Sequence, residues 1–488
     1  MNAAVSLGII GVGIVAVLLF ATLASRRVRV DPAEFIVGGR SFGTVFLWLL
    51  LAGEIYTSFT FLGAAGWAYG KGAPAFYFIC GATVAYAISY FLLPPIWTIA
   101  KERGLLTIAD YFADRYGSRR LGLLVAALGF AFLVPYVTLQ LSGLEILLRI
   151  AGYATLNATA TVGLAFALMT AFVYLNGLRG TAWASVVKDA LVIVAVLFAG
   201  IALPIRFFGS PAGAVDRVLA LHPGWLTLAN DLSPRGTPWF VSSTLLWGLG
   251  FYMWPHACAS TFAARDAAVL RRNAVLLPLY TLMVLPVLFA GLTALVVVPG
   301  LTGTAVDQSF LLVVQRYYPP WVLGFVALAG CLAALVPASG QILGAASIFT
   351  KNVLGDGFGL ATSDAARLRA TRLLIIVVAA LALVWWATAR TTLVGLLLIG
   401  YNGIVQFFPG AALALRDVRP AAAAVAAGIV AGIAVVAAAA VAGAPTILGL
   451  NVGIFAVLVN VATIYASNAV ANEVRARRAP LPQLDARP

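Results

Sequence analysis

Apolar stretches dominate this chain. Thirteen of them follow one another, each bounded by charged residues or by Gly and Pro clusters: 3–25, 43–67, 74–100, 120–150, 156–176, 182–206, 238–262, 273–298, 320–349, 371–388, 392–415, 420–441 and 449–470. Roughly 20 apolar residues carry a helix across a bilayer, so the pattern predicts thirteen membrane helices with short connections. Composition excludes a soluble protein: 62% of the 488 residues are hydrophobic and 10% are charged, against about 25% charged in soluble domains. The expected fold class is an all-α integral membrane protein, with no length left over for a soluble domain of any size.

A formal net charge of +14 would point to nucleic acid in a soluble protein. Here it follows the rule that Lys and Arg gather in short cytoplasmic loops. No Lys or Arg precedes the first stretch, and Arg26, Arg27 and Arg29 follow it, so it reads as an anchor helix with its N-terminus outside rather than a cleaved signal peptide. In that orientation the cytoplasmic loops and tail hold 24 of the 31 Lys and Arg, and the other side holds seven. The basic charge then needs no nucleic acid as partner; membrane lipid is the partner expected. Two longer connections, 207–237 and 299–319, lie outside, and AVDQSFLLVVQRYY (305–318) suits an amphipathic helix over a vestibule. The tail is expected to be disordered past Pro480. Cys80, Cys258 and Cys331 all fall in apolar runs and read as reduced packing residues, with no disulfide framework and no metal spacing.

A polar residue inside a span is costly and marks a candidate site. Glu54 lies in the middle of LLLAGEIYTSFTFLGAAG (49–66), beside Gly53, Thr57, Ser58 and Thr60. Glycine with nearby hydroxyls lets a membrane helix unwind around a ligand; the alternative is a kinked packing helix. A second interruption comes five stretches later, in WGLGFYMWPHACASTF (247–262), where Gly248, Gly250 and Pro255 weaken the helix beside His256. Pro255 removes a backbone donor and frees a carbonyl one turn earlier. Breaks at corresponding places in the second and seventh stretches fit a secondary transporter with two inverted five-helix repeats and a binding site at mid-membrane. Tyr136, Gln140, Tyr401 and Gln406 are further polar residues within spans. Glu145 and Arg149, four apart, suit a helix-surface pair. Lys188 and Asp189 sit either at the inner interface, with the lysine reaching to the headgroups, or deeper in a functional position.

Five motifs then resemble the sodium:solute symporter family: FIVGGRSFG (35–43), the second span through GWAYGKG (66–72), TIADYFADRYGSR (107–119), LNGLRGTAWASVVKD (175–189) and SGQILGAASIFTKNVL (339–354). LVPYVTLQLSG and FYMWPHACAST are most similar to its bacterial monocarboxylate permease branch. The resemblance implies thirteen helices and alternating access, with a ten-helix core of two inverted five-helix repeats whose first and sixth helices are broken. It divides the chain into an anchor helix and linker (1–42), a first repeat (43–206), an extracellular loop (207–237), a second repeat (238–415), two peripheral helices (416–470) and a cytoplasmic tail (471–488). It implies substrate-facing positions at Thr57, Thr60, Tyr136, Gln140, Trp254, His256, Tyr401 and Gln406. The family's sodium site uses backbone carbonyls matching Gly53 and Tyr56 and two hydroxyl residues on the ninth span. In this sequence those two positions are Val336 and Pro337, neither of which offers the side-chain oxygen that a hard cation needs.

The function expected is import of a small monocarboxylate such as lactate, pyruvate, acetate or propionate into a bacterial cell across its inner membrane. With the sodium site altered, coupling to H+ is expected over Na+, with Lys188, Asp189 and Glu54 as the coupling groups. A lysine held out of water gives up its proton more readily than one in water. Sodium-coupled uptake of an amino acid or other small polar solute is the alternative, and a membrane sensor working with a separate signalling partner is a second. No nucleophile, metal cluster or phosphate loop supports an enzyme; no catalytic residue, metal or cofactor is expected.

Overall fold

The computed structural model describes residues 2–25, 37–361, 363–388 and 391–478. The basic linker with Arg26, Arg27 and Arg29, and the tail beyond Arg478, lie outside the described residues. The chain is helical nearly throughout: α1 (Asn2–Ser25), α2 (Thr44–Ile55), α3 (Ala64–Lys71), α4 (Tyr77–Glu102), α5 (Ile108–Tyr116), α6 (Arg119–Ala151), α7 (Ala158–Leu197), α8 (Leu203–Phe208), α9 (Pro211–Leu221) and α10 (Thr237–Gly250). There follow α11 (Pro255–Phe262), α12 (Ala267–Thr281), α13 (Val284–Val297), α14 (Ser309–Tyr317), α15 (Pro320–Ile348), α16 (Asp364–Thr388), α17 (Leu393–Ile404), α18 (Phe407–Leu413), α19 (Ala422–Val441) and α20 (Val452–Arg478). A two-residue hairpin, Thr446–Ile447 with Leu450–Asn451, joins the last two.

Among the described residues, ten helical segments are long and apolar enough to cross a membrane, and α2 with the bent continuation into α3 makes an eleventh. By length and apolarity, two of the thirteen expected stretches do not stand as single full spans, the first of them because of its expected break. The stretch 238–262 is divided into α10 and α11, each too short to cross alone. The stretch 156–176 is the first part of the continuous helix α7, whose apolar portion Thr159–Tyr174 falls short of a full crossing.

The packing order follows from which helices are apolar on every side. α15 is buried along nearly its whole length and packs between α1, α6 and α7, as a helix with no polar face does when its small residues allow close approach. Peripheral helices instead turn large apolar residues outward: Val12 is 72% exposed, Phe91 77% and Val384 60%. Such a belt suits lipid and would aggregate in water. Cys80 belongs to this outer surface, contrary to the packing role expected of it, whereas Cys258 and Cys331 are buried and all three are free.

The connections are ordered by local chemistry. In TIADYFADRYGSR, Thr107 caps α5 by accepting from Asp110 N while the Asp110 carboxylate accepts from Thr107 N, a reciprocal capping box. Gly117 closes the helix in the left-handed region at φ 58°, and Ser118 caps α6. The other Asp110 oxygen accepts from Lys351 Nζ and Asn352 Nδ2, each at 2.6 Å, beyond the end of α15. This motif thus ties the α5 corner to the far end of the central helix. On the opposite face, where α1 begins and Ser6 Oγ bonds Pro320 O, the amphipathic stretch 305–318 forms a 3-10 turn (Gly303–Gln308) and α14.

Candidate substrate and coupling site

Both expected helix breaks are present. α2 ends at Ile55; Tyr56 leaves the helical region at φ −84°, ψ 88°, and a π turn over Phe59–Gly63 restarts the helix as α3 after a 53° bend. In the second break, α10 passes through a 3-10 turn (Phe251–Met253) to Trp254, which is extended at ψ 136°, and Pro255 opens α11. Pro at the first helical position needs no N–H there, which is why the chain restarts at that residue. The backbone groups freed at α2 are met by hydroxyls: Thr60 Oγ1 donates to Ile55 O, and Thr57 Oγ1 accepts from Phe59 N.

Around the second break lies an aromatic cluster. The Tyr136 ring is 4.9 Å from Trp254 and 5.7 Å from His256, and Trp254 is 5.3 Å from Tyr401. Trp247, which the sequence reading did not single out, joins at 5.8 Å from Tyr401. Polar atoms here are buried without hydrogen-bond partners, His256 Nδ1 and Trp247 Nε1, while the Trp254 indole N–H points at the Tyr401 hydroxyl. Buried donors and acceptors are nearly always paired, so a group of orphans around a helix break marks a place where a ligand completes the set. Gly344 on α15 permits the approach of α11, since a Cβ there would stand 3.0 Å from the His256 backbone.

Gln140 connects the first break to the rest. Its Oε1 accepts from Ser58 Oγ at 2.6 Å and Ser58 N at 3.2 Å, and its Nε2 donates to Gln341 Oε1 at 3.4 Å. The structure therefore brings Thr57, Tyr136, Gln140, Trp254, His256 and Tyr401 to the region between the two breaks, with Thr60 bracing the first. Gln406 stands apart: Nε2 donates to Asn402 O and Gly453 O, and Oε1 accepts from Asn460 Nδ2. It holds the peripheral helix α20.

Lys188 is fully buried, so the interfacial alternative for it does not apply. Its Nζ lies 2.9 Å from Gly53 O, at the end of α2, and 2.9 Å from Asp189 Oδ1. Asp189 Oδ1 also accepts from Tyr280 OH at 2.8 Å, and Tyr280 packs edge-on against Tyr56. Glycine at residue 53 leaves room for this contact, since a Cβ would crowd Lys188 Nζ at 3.0 Å and Ser185 Oγ at 3.1 Å. Beside this contact is a cavity of about 10 Å³, the size of one small occupant, lined by Leu50, Gly53, Glu54, Thr181, Ser185, Ser260, Val336, Pro337 and Gly340. Gly53, Val336 and Pro337 thus meet at one place, with the ammonium beside them. Glu54 Oε1 accepts from Ser260 Oγ on α11, joining the two broken helices, while Oε2 has no partner. Ser260, Tyr280 and Gln341 were not expected. Ser260 lies one turn after His256 in a motif already singled out, which is the one signal that could have found it.

The sequence profile of the sodium:solute symporter family matches residues 35–415. The uncharacterized symporter YhjB of Bacillus subtilis (strain 168) is 38% identical, over 98% of this chain and 99% of its own length. A monocarboxylate transport permease protein of Rhizobium johnstonii is 31% identical, over 77% of this chain and 76% of its own. In fold the chain is similar to a Na+-coupled sialic acid symporter solved in a substrate-bound outward-open state, with a TM-score of 0.79 at 15% identity, covering 96% of this chain and 98% of that one. With a profile match across both breaks and end-to-end similarity to a symporter, this multi-pass membrane protein belongs to the sodium:solute symporter family and is a transporter, not an enzyme.

Proposed function

We propose that the protein imports a small monocarboxylate of the lactate, pyruvate, acetate or propionate type across the bacterial inner membrane, in symport with a proton, by alternating access. The observation that carries this reading is the Lys188 ammonium on the Gly53 carbonyl, beside Val336 and Pro337, which have no oxygen to give a cation. A fixed ammonium satisfies the carbonyl end of the unwound helix as an ion would. It can leave that role only by losing its proton or by moving. Protonated, Lys188 ties α7 to α2, and Asp189 ties the same stretch of α7 to α12 through Tyr280. Loss of the proton frees α2, which is the helix that must move if the site is to open inward.

The substrate half of the reading rests on the unpartnered His256 and Trp247 ring nitrogens around the second break, and on the Rhizobium johnstonii relative named as a monocarboxylate permease. A carboxylate needs donors for two oxygens, and a short apolar wall for its methyl end; the indole, imidazole and aromatic faces offer both. The test is uptake of labelled pyruvate and proline into proteoliposomes with an imposed proton or sodium gradient. Pyruvate accumulation driven by the proton gradient alone is expected, and Lys188→Ala should not concentrate it. Uptake that collapses when choline replaces sodium at fixed pH, or uptake of proline in place of carboxylates, would overturn the proposal.

A further inference from the structure

We infer that Gln341 is a substrate-recognition residue whose side-chain Nε2 donates to the carboxylate, and that this contact is what sets the preference for an acceptor-only ligand; the inference rests on the monocarboxylate reading and deepens it. Gln341 is fully buried on α15, one helical turn beyond Pro337. The orientation of its amide is fixed by a one-way chain. Ser58 directs two donors, N and Oγ, at Gln140 Oε1, so Gln140 must present its NH2 to the next group. That group is Gln341 Oε1, and Gln341 must in turn direct its NH2 away from the chain. There Nε2 is buried, and the Tyr136 hydroxyl beside it can take only one of its two N–H groups.

The free amide end lies beside the aromatic cluster. The Tyr136 hydroxyl sits next to the side chains of both Thr57 and Gln341, and the Tyr136 ring faces Trp254 and His256. His256 packs against Gly344, three residues further along the same helix, which brings imidazole and amide to one side of α15. An amide NH2 cannot accept a hydrogen bond. A ligand whose end is a carboxylate takes the remaining N–H in a charge-assisted bond, whereas an ammonium offered to the same atom meets donor against donor. A carboxylate pulling on Nε2 also polarises the Gln341–Gln140–Ser58 chain towards itself, so occupancy tightens the hold on the unwound part of the helix that begins as α2.

The experiment compares wild type, Gln341→Glu and Gln341→Met in proteoliposomes, reading half-saturating concentration and maximal rate separately for pyruvate, lactate and proline. Gln341→Glu keeps the shape but puts an acceptor where the donor was, and should raise the half-saturating concentration for both carboxylates about tenfold or more; Gln341→Met should raise it less, in the same direction. If either variant fails to assemble, the other carries the test. Carboxylate uptake by wild type with unchanged half-saturation in the variants, only the maximal rate falling, overturns the inference and leaves the monocarboxylate reading intact. Uptake of proline but no carboxylate by wild type overturns that reading and the inference with it.

Discussion

Asp307 carries an acid that is forced into a dry place away from the transport site, and its removal should change how stability depends on pH. The residue sits in the 3-10 turn before α14, is 2% exposed, and accepts from Leu393 N at 2.8 Å through Oδ2, at the start of α17. Oδ1 has no hydrogen-bond partner. It lies so close to α3 that a Cβ on Gly66 would stand 2.7 Å from it. Burial pushes its pKa up from an ordinary 3.8 to about 7, with the Leu393 N–H pulling weakly the other way. Glu145 and Arg149, themselves paired at 3.1 Å, line the same cavity from α6.

Each tenfold change in proton affinity is worth about 1.4 kcal/mol, so ionising Asp307 in the folded protein costs about 4 kcal/mol more than in the unfolded chain. Between pH 3.8 and about 7 the folded state binds the more protons at this site, and stability falls as pH rises through that window. Roughly 3 kcal/mol of the loss falls between pH 5 and pH 8. Asp307→Asn retains an acceptor for Leu393 N and cannot ionise. Thermal unfolding of the detergent-solubilised protein, followed by tryptophan fluorescence at several pH values, should therefore show the variant gaining on wild type as pH rises. Other titrating groups are common to both proteins and cancel in the difference. A difference that stays constant from pH 5 to pH 8 would refute the argument.

Three further outcomes are expected. His256→Ala should weaken carboxylate uptake by about 2 kcal/mol, the scale of a lost hydrogen bond to a charged group, read as a raised half-saturating concentration. Lys188→Ala leaves Asp189 buried without its cation and should destabilise by about 3–5 kcal/mol; adding Asp189→Ala should recover part of that loss in thermal unfolding, because the second change removes the stranded charge. Gly344→Val drives a side chain into the His256 backbone and should cost about 1–3 kcal/mol through overpacking, with uptake falling faster than the amount of folded protein recovered.

The parts of this site that a sequence can reveal are those whose cause is local. Gly53 with its neighbouring hydroxyls, and Pro255 after a glycine-weakened run, announce the two breaks because backbone geometry is decided within a turn or two. The capping box of Thr107 and Asp110 is legible for the same reason. What stays hidden is the choice of partner across the bundle. Lys188 meets Gly53 from 135 residues away, and an apolar run with a blurred boundary does not say whether its lysine points to headgroups or to a carbonyl at mid-membrane. Ser260 and Gln341 are short or neutral side chains in small-residue motifs, and nothing in their spacing says that one meets Glu54 and the other Gln140. Gln406 shows the converse: it lies five residues after Tyr401, well round the helix from it at 3.6 residues per turn, and in the junction between the end of α17 and the start of α18. The family resemblance implied that both face the substrate, whereas the turn between the two helices sends Gln406 to Asn460 on α20. A polar residue in a membrane span calls for a partner, and whether that partner is a ligand or another helix is decided by which face the residue occupies, a quantity that burial between helices sets and local sequence does not.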